Sequence, residues 1–422
     1  MNQHGRDVIQ EMFAAALEAV EPSAVVARAI QDLDFAGDAR VIVVAIGKAA
    51  ERMAFGASES LGERLAAGYV ITKDDHCSGL LDGRFRTWEA SHPVPDERGV
   101  QATTRIVDAV RQLAPGDVVI ALISGGGSAL FEAPRPPLTL DDIAGVTQQL
   151  LRAGAPIQDL NAVRIPLSLV KGGGFRREIA AGRVITLILS DVLSNDPRII
   201  ASGPTIAGTH SAREALQTLE TYDLIEHIAP QVISFLRQSD EPPESVYPYD
   251  VVRIVGDNAT AIDAAMEHCR SIGRHARIVW RQVEGEASEL GRTWVDLLSQ
   301  EQLADVLIGG GEATVTVRGD GLGGRNTEFD LAAALELDRR GLAGWTVASL
   351  ATDGQDALTD AAGAIVDGEL IRRARARGLD PADALRRNDS GSLLKALACL
   401  VIPGPTGTNV NDLYFAVRDD AT

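Results

Sequence analysis

The 422-residue chain is poor in cysteine, in aromatic residues and in positive charge, and each shortage removes a class of function. Its three cysteines, Cys77, Cys269 and Cys399, are widely separated and match neither a disulfide framework nor metal-ligand spacing. They read as small buried hydrophobes of a reducing compartment. Aromatics make up 4% of the residues, too few for stacking platforms that hold single-stranded nucleic acid. Forty Lys and Arg against fifty-nine Asp and Glu leave a formal charge of −19, which repels polyphosphate backbones and anionic lipid surfaces. The seven histidines show no HxxxH or similar spacing, which argues against zinc. No apolar run approaches the roughly 20 residues needed to cross a bilayer. Arg6, Asp7 and Glu11 stand where a signal peptide would need its apolar core. A soluble, cytoplasmic protein is expected, with no nucleic-acid or membrane partner.

Familiar nucleotide and hydrolase signatures are missing too. The one GK pair, Gly47 and Lys48, is followed by Ala49 and has no glycine five residues before it, so there is no Walker A loop. There is no GxGxxG after a strand with an acid about 20 residues on, and no GxSxG elbow for a serine hydrolase.

What is present is a series of short β-branched runs that end in glycine or a carboxylate and are followed by helical patterns. They are VIVVAIG (41–47), VVIALISGGG (118–127), VITLILSD (184–191), VVRIVGDN (251–258), VLIGGGE (306–312) and VASLATDG (347–354). Near-continuous apolar strands are buried on both faces, and their alternation with helices predicts right-handed βαβ units in an α/β fold. The N-terminal segment reads as an amphipathic helix that ends before Pro22. The length exceeds what one core usually supports, so two α/β/α domains with mostly parallel sheets are expected. The stretch RQSDEPPESVYPYD (237–250), rich in proline and acid, is the expected linker between a domain over 1–240 and one over 250–422. Ligands of such sheets bind beyond the carboxyl ends of the strands, so the active site is expected in a cleft between the domains.

The polar residues at those strand ends are the candidate site. In SGGGS, Ser124, Gly125, Gly126, Gly127 and Ser128 can turn backbone N–H groups toward an anion, and phosphate is the natural guest. A bare strand-to-helix turn needs one glycine for positive φ; three in a row ask for more. Lys48 follows a strand, and Arg325 opens a glycine-rich helix start in GLGGRNTEFDLAAAL (321–335). Cations are disfavoured at that end of the helix dipole, so both suggest an anionic ligand. Asp191, Asp257 and Asp353 each follow a strand, where a carboxylate can hold Mg²⁺, accept a hydroxyl proton or simply cap a helix.

Read together, LISGGGSAL (122–130), GAPIQDLNAVR (154–164), LSLVKGG (167–173), LILSDVLSNDPRIIASGPT (187–205), GGEATVTVRGDGLGGRNTEFDLA (310–332), ATDGQDALTDAAGAIVD (351–367) and VIPGPTGTNVNDL (401–413) resemble the glycerate 2-kinase family, also called the MOFRL family. The resemblance runs over nearly the whole chain in order. It implies a Mg²⁺-dependent kinase that moves the γ-phosphoryl group of ATP to the C2 hydroxyl of D-glycerate, with a larger N-terminal domain, a smaller C-terminal domain and the site between them.

By that pattern Lys48 and Arg325 are catalytic. Residues 124–128, Arg164, Lys171, Asp353 and Asn409 bind nucleotide or substrate. Asp191 or Asp353 holds Mg²⁺, and one of them takes the hydroxyl proton. A homodimer is left open.

The chain departs from the family where Arg164 is followed by Ile165 and Pro166, where Gly174 stands in place of a cation, and over Gly391, Ser392, Leu393 and Leu394. Pro166 suits a first helical turn, which would separate Arg164 from Lys171. Two alternatives follow: a kinase of a larger sugar acid, and an NAD(P)H-dependent hydroxypyruvate reductase, against which the missing dinucleotide fingerprint stands.

Overall fold

The computed structural model describes residues 3–37, 39–208, 210–239, 247–357 and 359–419. The middle of the expected linker, residues 240–246, lies outside them. The chain forms two compact units, one of Pro22–Leu189 with Asn195–Val255, the other of Met1–Glu21 and Ser190–Ser194 with Gly256–Thr422. Among the described residues no helix is long and apolar enough to cross a membrane.

In the first unit six strands, β1 (Val41–Ile46), β2 (Leu65–Lys73), β3 (Phe85–Ala90), β4 (Val118–Ile123), β5 (Arg183–Leu189) and β6 (Val251–Gly256), form one sheet in the order 3-2-1-4-5-6. Strand β1 is parallel to β2 on one side and to β4 on the other, with Val43 opposite Gly68 and Ile120. All six residues of β1 and of β4 are buried, as their unbroken apolar runs predict. Strand order reverses between β1 and β4, and ligands of doubly wound sheets bind at such a switch point, beyond the carboxyl ends of the strands. The two turns that leave those ends carry Lys48 and the triple glycine.

Four helices of this unit, Leu140–Arg152, Ile157–Leu167, Ala212–Thr221 and Pro230–Gln238, pack around a core of their own that includes Leu150, Val163, Leu219 and Val232. Pro166 lies inside the last turn of the second of them and does not begin a helix. There its missing N–H removes a single bond, and the helix stops at once.

In the second unit the strands are β7 (Ala276–Ile278), β8 (Val283–Glu286), β9 (Val306–Thr314), β10 (Trp345–Ala351), β11 (Gly363–Asp367), β12 (Leu400–Val401) and β13 (Asp412–Arg418). The order is 12-11-10-13-9-7, with β8 paired to β9. The expectation of mostly parallel sheets holds for the first sheet and needs correction here. Strand β10 runs antiparallel to β11 and β13, and β13 antiparallel to β9, while β7 and β8 are parallel to β9. Burial on both faces writes the same apolar run whichever way a strand points, so the sequence pattern carried no direction.

The N-terminal helix, Gln3–Ala19, turns Val8, Ile9, Met12, Phe13 and Ala16 inward at helical spacing. It packs on the helix Asn258–Ser271 of the same unit, where Met12 Sδ meets Cys269 Sγ at 3.0 Å. Cys269 and Cys399 are buried, but Cys77 is exposed, on a loop that the apolar-residue reading had not separated from the core.

Candidate active site

In the first unit the turns after β1 and β4 are locked together. Ser124 N–H donates to Ile46 O at 2.9 Å, its hydroxyl accepts from Ala49 N–H at 3.1 Å, and Lys48 N–H donates to Gly125 O at 2.9 Å. Gly47 has φ +119°, and a Cβ there would fall 2.4 Å from Ser124 Oγ, so only glycine lets the turns approach. The Ser124 hydroxyl is therefore spent on the scaffold. By contrast, the backbone N–H groups of Gly125, Gly126, Gly127 and Ser128 donate to no acceptor among the described residues. Lys48 is half-buried beside them, and its ammonium has no partner among the described residues. Four free donors and one cation at the switch point of a parallel sheet are what a phosphate needs.

The layer beneath explains two more predicted residues. Lys171 is 1% exposed, donates to Ser128 O at 2.6 Å and pairs with the equally buried Glu132 at 3.0 Å. Burial pulls its ammonium pKa down, with Glu132 opposing and Arg164 adding to the fall. Lys171 thus props the turn from behind. Arg164, near enough to repel it, keeps a buried Nε without a hydrogen-bond partner among the described residues. The Ser128 hydroxyl meets Ser202 Oγ at 2.7 Å, and both Ala201 and Ser202 hold left-handed conformations at φ 51° and 61°. Strain of this kind collects at functional sites.

Sequence reasoning missed Glu51 in this unit, and His76, whose Nδ1 lies 3.2 Å from Lys48 O. Glu51 is 4% exposed and takes N–H bonds from Ser78, Gly79 and Leu80, fixing the loop that carries Cys77. Burial opposes its charge, yet these donors hold its carboxyl below the usual range. Its helix, Ala50–Leu61, also carries Arg52 and Glu59, so nothing in the sequence marked Glu51 as the buried acid.

In the second unit Arg325 opens the helix Arg325–Arg340 and is held by two carboxylates while 31% of its side chain stays exposed. It donates to Glu312 Oε1 at 2.6 Å and pairs through Nε with Asp412 Oδ2 at 2.6 Å. The acid expected at this helix start is Asp356, which accepts from Asn326 N–H at 3.0 Å and Thr327 N–H at 2.8 Å. Arg325 is therefore answered by protein carboxylates, which the sequence had not paired with it. Asn411 Nδ2 ties this group together by donating to Glu312 Oε2 at 3.0 Å and to Asp191 O at 2.8 Å.

Asp353 and Asn409 sit on the loops that flank β10 and β13, joined to the network through Thr352 and Asn411. Asp257 is a helix cap, accepting from Thr260 N–H at 2.8 Å. No three His, Cys, Asp or Glu side chains form a metal cage among the described residues. A kinase Mg²⁺ needs only one or two carboxylates plus phosphate oxygens. The half-buried Asp353, with Oδ1 bonded to Gln355 N–H and Oδ2 uncommitted among the described residues, fits that donor set.

Burial pushes the Asp412 carboxyl up to about 6 from 3.8, against the pull of Arg325 and Asn326. A raised folded pKa stabilises fully below the unfolded value, and the effect is lost as pH rises through the folded one. From pH 7 to pH 5 this group should add about 1 kcal/mol of stability. Asp412→Asn should lack that gain. Urea unfolding at both pH values reads the difference, and an identical pH response in the two proteins would contradict it.

Known proteins match this chain over nearly its whole length. Residues 8–237 match the family model described as a domain of unknown function (DUF4147), and residues 305–412 match the model described as MOFRL family. A Thermotoga maritima protein named D-glycerate 2-kinase is 40% identical over 96% of this chain and 97% of its own. A protein of Agrobacterium vitis provisionally named a hydroxypyruvate reductase is 37% identical over 97% of this chain and 93% of its own. The crystal structure of a Thermotoga maritima glycerate kinase superposes with TM-score 0.91 at 39% identity, covering 98% of this chain and 99% of that one.

Proposed function

The chain belongs to the glycerate 2-kinase (MOFRL) family, and from that premise we propose that it moves the γ-phosphoryl group of ATP onto the C2 hydroxyl of D-glycerate, giving 2-phospho-D-glycerate and ADP. The observation that carries this reading is the set of four N–H groups on residues 125–128 with no acceptor among the described residues, beside Lys48, where strand order reverses.

Phosphoryl transfer asks little covalent chemistry of a protein; positioning and charge neutralisation supply most of the rate. The C2 hydroxyl oxygen attacks the γ-phosphorus, the bond to the β-phosphate oxygen breaks, and the hydroxyl proton goes to a carboxylate, Asp191 or Asp353. The N–H groups of residues 125–128 receive phosphate oxygens, and Lys48 offsets the charge that builds on the transferring group. Arg325, held by Glu312 and Asp412, presents a fixed guanidinium to an anionic substrate. Lys171 keeps the turn in shape from behind, and Arg164 stands near it with its Nε buried. Mg²⁺, held by Asp353 or Asp191 when bound, would neutralise phosphate charge.

The departures from the family pattern support glycerate over a larger acid. Ile165 is 7% exposed and fills the space over Gly172, and Leu393 and Leu394 are buried in the second unit's core. These changes repack the interior. Likewise the turn after β1 reads Gly47, Lys48, Ala49, Ala50, which gives a dinucleotide pyrophosphate no glycine fingerprint. With ATP and Mg²⁺, ADP release over a panel of three- to six-carbon hydroxy acids should be most efficient with D-glycerate. NADH absorbance should stay constant with hydroxypyruvate. A four-carbon or branched acid used more efficiently than glycerate, or NADH consumption, would overturn this.

A further inference from the structure

His92 follows β3 and stands against Gly126 of the glycine turn. A Cβ on Gly126 would lie 3.1 Å from His92 Cδ2, 3.2 Å from His92 Nε2 and 3.3 Å from Lys48 Cγ. One edge of the imidazole, the Lys48 side chain and the backbone of the turn thus meet at a single point. Neither ring nitrogen of His92 has a hydrogen-bond partner among the described residues, although the ring is half-buried. A polar ring held in that way has donor and acceptor capacity that only a ligand or solvent can use.

We propose that His92 is a ligand-contacting residue of the kinase, whose Nε2–H donates to a phosphoryl oxygen seated on residues 125–128. The inference rests on the phosphate reading of that turn. Its chemistry is that of a neutral donor among cations. Burial, together with Lys48, Lys73 and His76, lowers the His92 pKa from 6.5 to about 4, so the ring is uncharged at neutral pH. Lys48 and Lys73 already supply positive charge, and a third cation at this spot would repel both. An uncharged imidazole adds a directional bond without that repulsion, and the bond strengthens as charge builds on the phosphoryl oxygens.

Two variants of similar size separate a hydrogen bond from packing. His92→Met fills the space without a donor, and His92→Gln returns an amide N–H close to the position of Nε2. Titrating each folded protein calorimetrically with MgATP, His92→Met should bind roughly tenfold to hundredfold more weakly than the wild type, the worth of one bond to a charged group. His92→Gln should return to within about threefold. Wild-type affinity in His92→Met, or equal weakness in both variants, would overturn the role of His92. Lys48→Ala, titrated alongside, tells the two failures apart. If it loses affinity while His92→Met does not, only the histidine is misassigned; if all three proteins bind like the wild type, the phosphate reading of the turn falls with it.

Discussion

Replacing Lys48 by alanine should lower kcat/KM for phosphorylation of glycerate by about 10²- to 10³-fold, the usual loss when one preorganised electrostatic group is removed from a transition state. Stability should hardly change. The ammonium has no partner among the described residues, so its loss strands no buried charge, and surface-like changes of this kind stay within about 0.5 kcal/mol. Lys48→Arg should recover little, because a planar fork does not replace a compact ammonium in a site already crowded by Gly126 and His92. A coupled ADP assay with thermal melts of the same preparations reads both quantities. Near-normal turnover in a well-folded Lys48→Ala protein would remove the charge-neutralising role.

Arg325→Ala should behave differently, losing both activity and stability. Asp412 is fully buried, and without the guanidinium its charge has no counterpart at 2.6 Å. Breaking a buried pair from one side costs about 3–5 kcal/mol. Part of that is relieved when Asp412 takes up a proton, so the deficit should be smaller at pH 6 than at pH 8. Combining the change with Asp412→Asn removes the stranded charge and should restore much of the stability while leaving the enzyme inactive. Denaturant unfolding of the two single variants and the double variant gives the coupling. A double variant no more stable than Arg325→Ala would show that the pair is not coupled as the geometry implies.

The contrast between these residues also marks what could be read from the sequence. The first sheet was legible because β1 and β4 are uninterrupted apolar runs ending in polar turns, and both follow from burial on two faces. Lys48 and residues 124–128 were legible for the same reason: they are the punctuation of those strands. Arg325 was found as a cation at the wrong end of a dipole, but its partners were not. Glu312 lies in VLIGGGE, Asp356 in ATDGQD, and Asn411 and Asp412 in TNVND, all within quoted motifs, yet pairing them requires β9, β10 and β13 to lie side by side. Strand direction in that sheet leaves no trace in hydrophobicity. His92 was invisible for another reason, since a single histidine carries no period and its meaning depends on what stands opposite, here Gly126.

Two-unit kinases of this kind can be tested at the product. The wild-type chain, incubated with ATP, Mg²⁺ and D-glycerate and followed by ³¹P and ¹³C NMR, should accumulate ADP and a phosphate ester whose phosphorus couples to C2 of glycerate, with no signal for the C3 ester. Phosphate on C3, or ADP formation that does not depend on glycerate, would contradict the assignment of this chain as a glycerate 2-kinase.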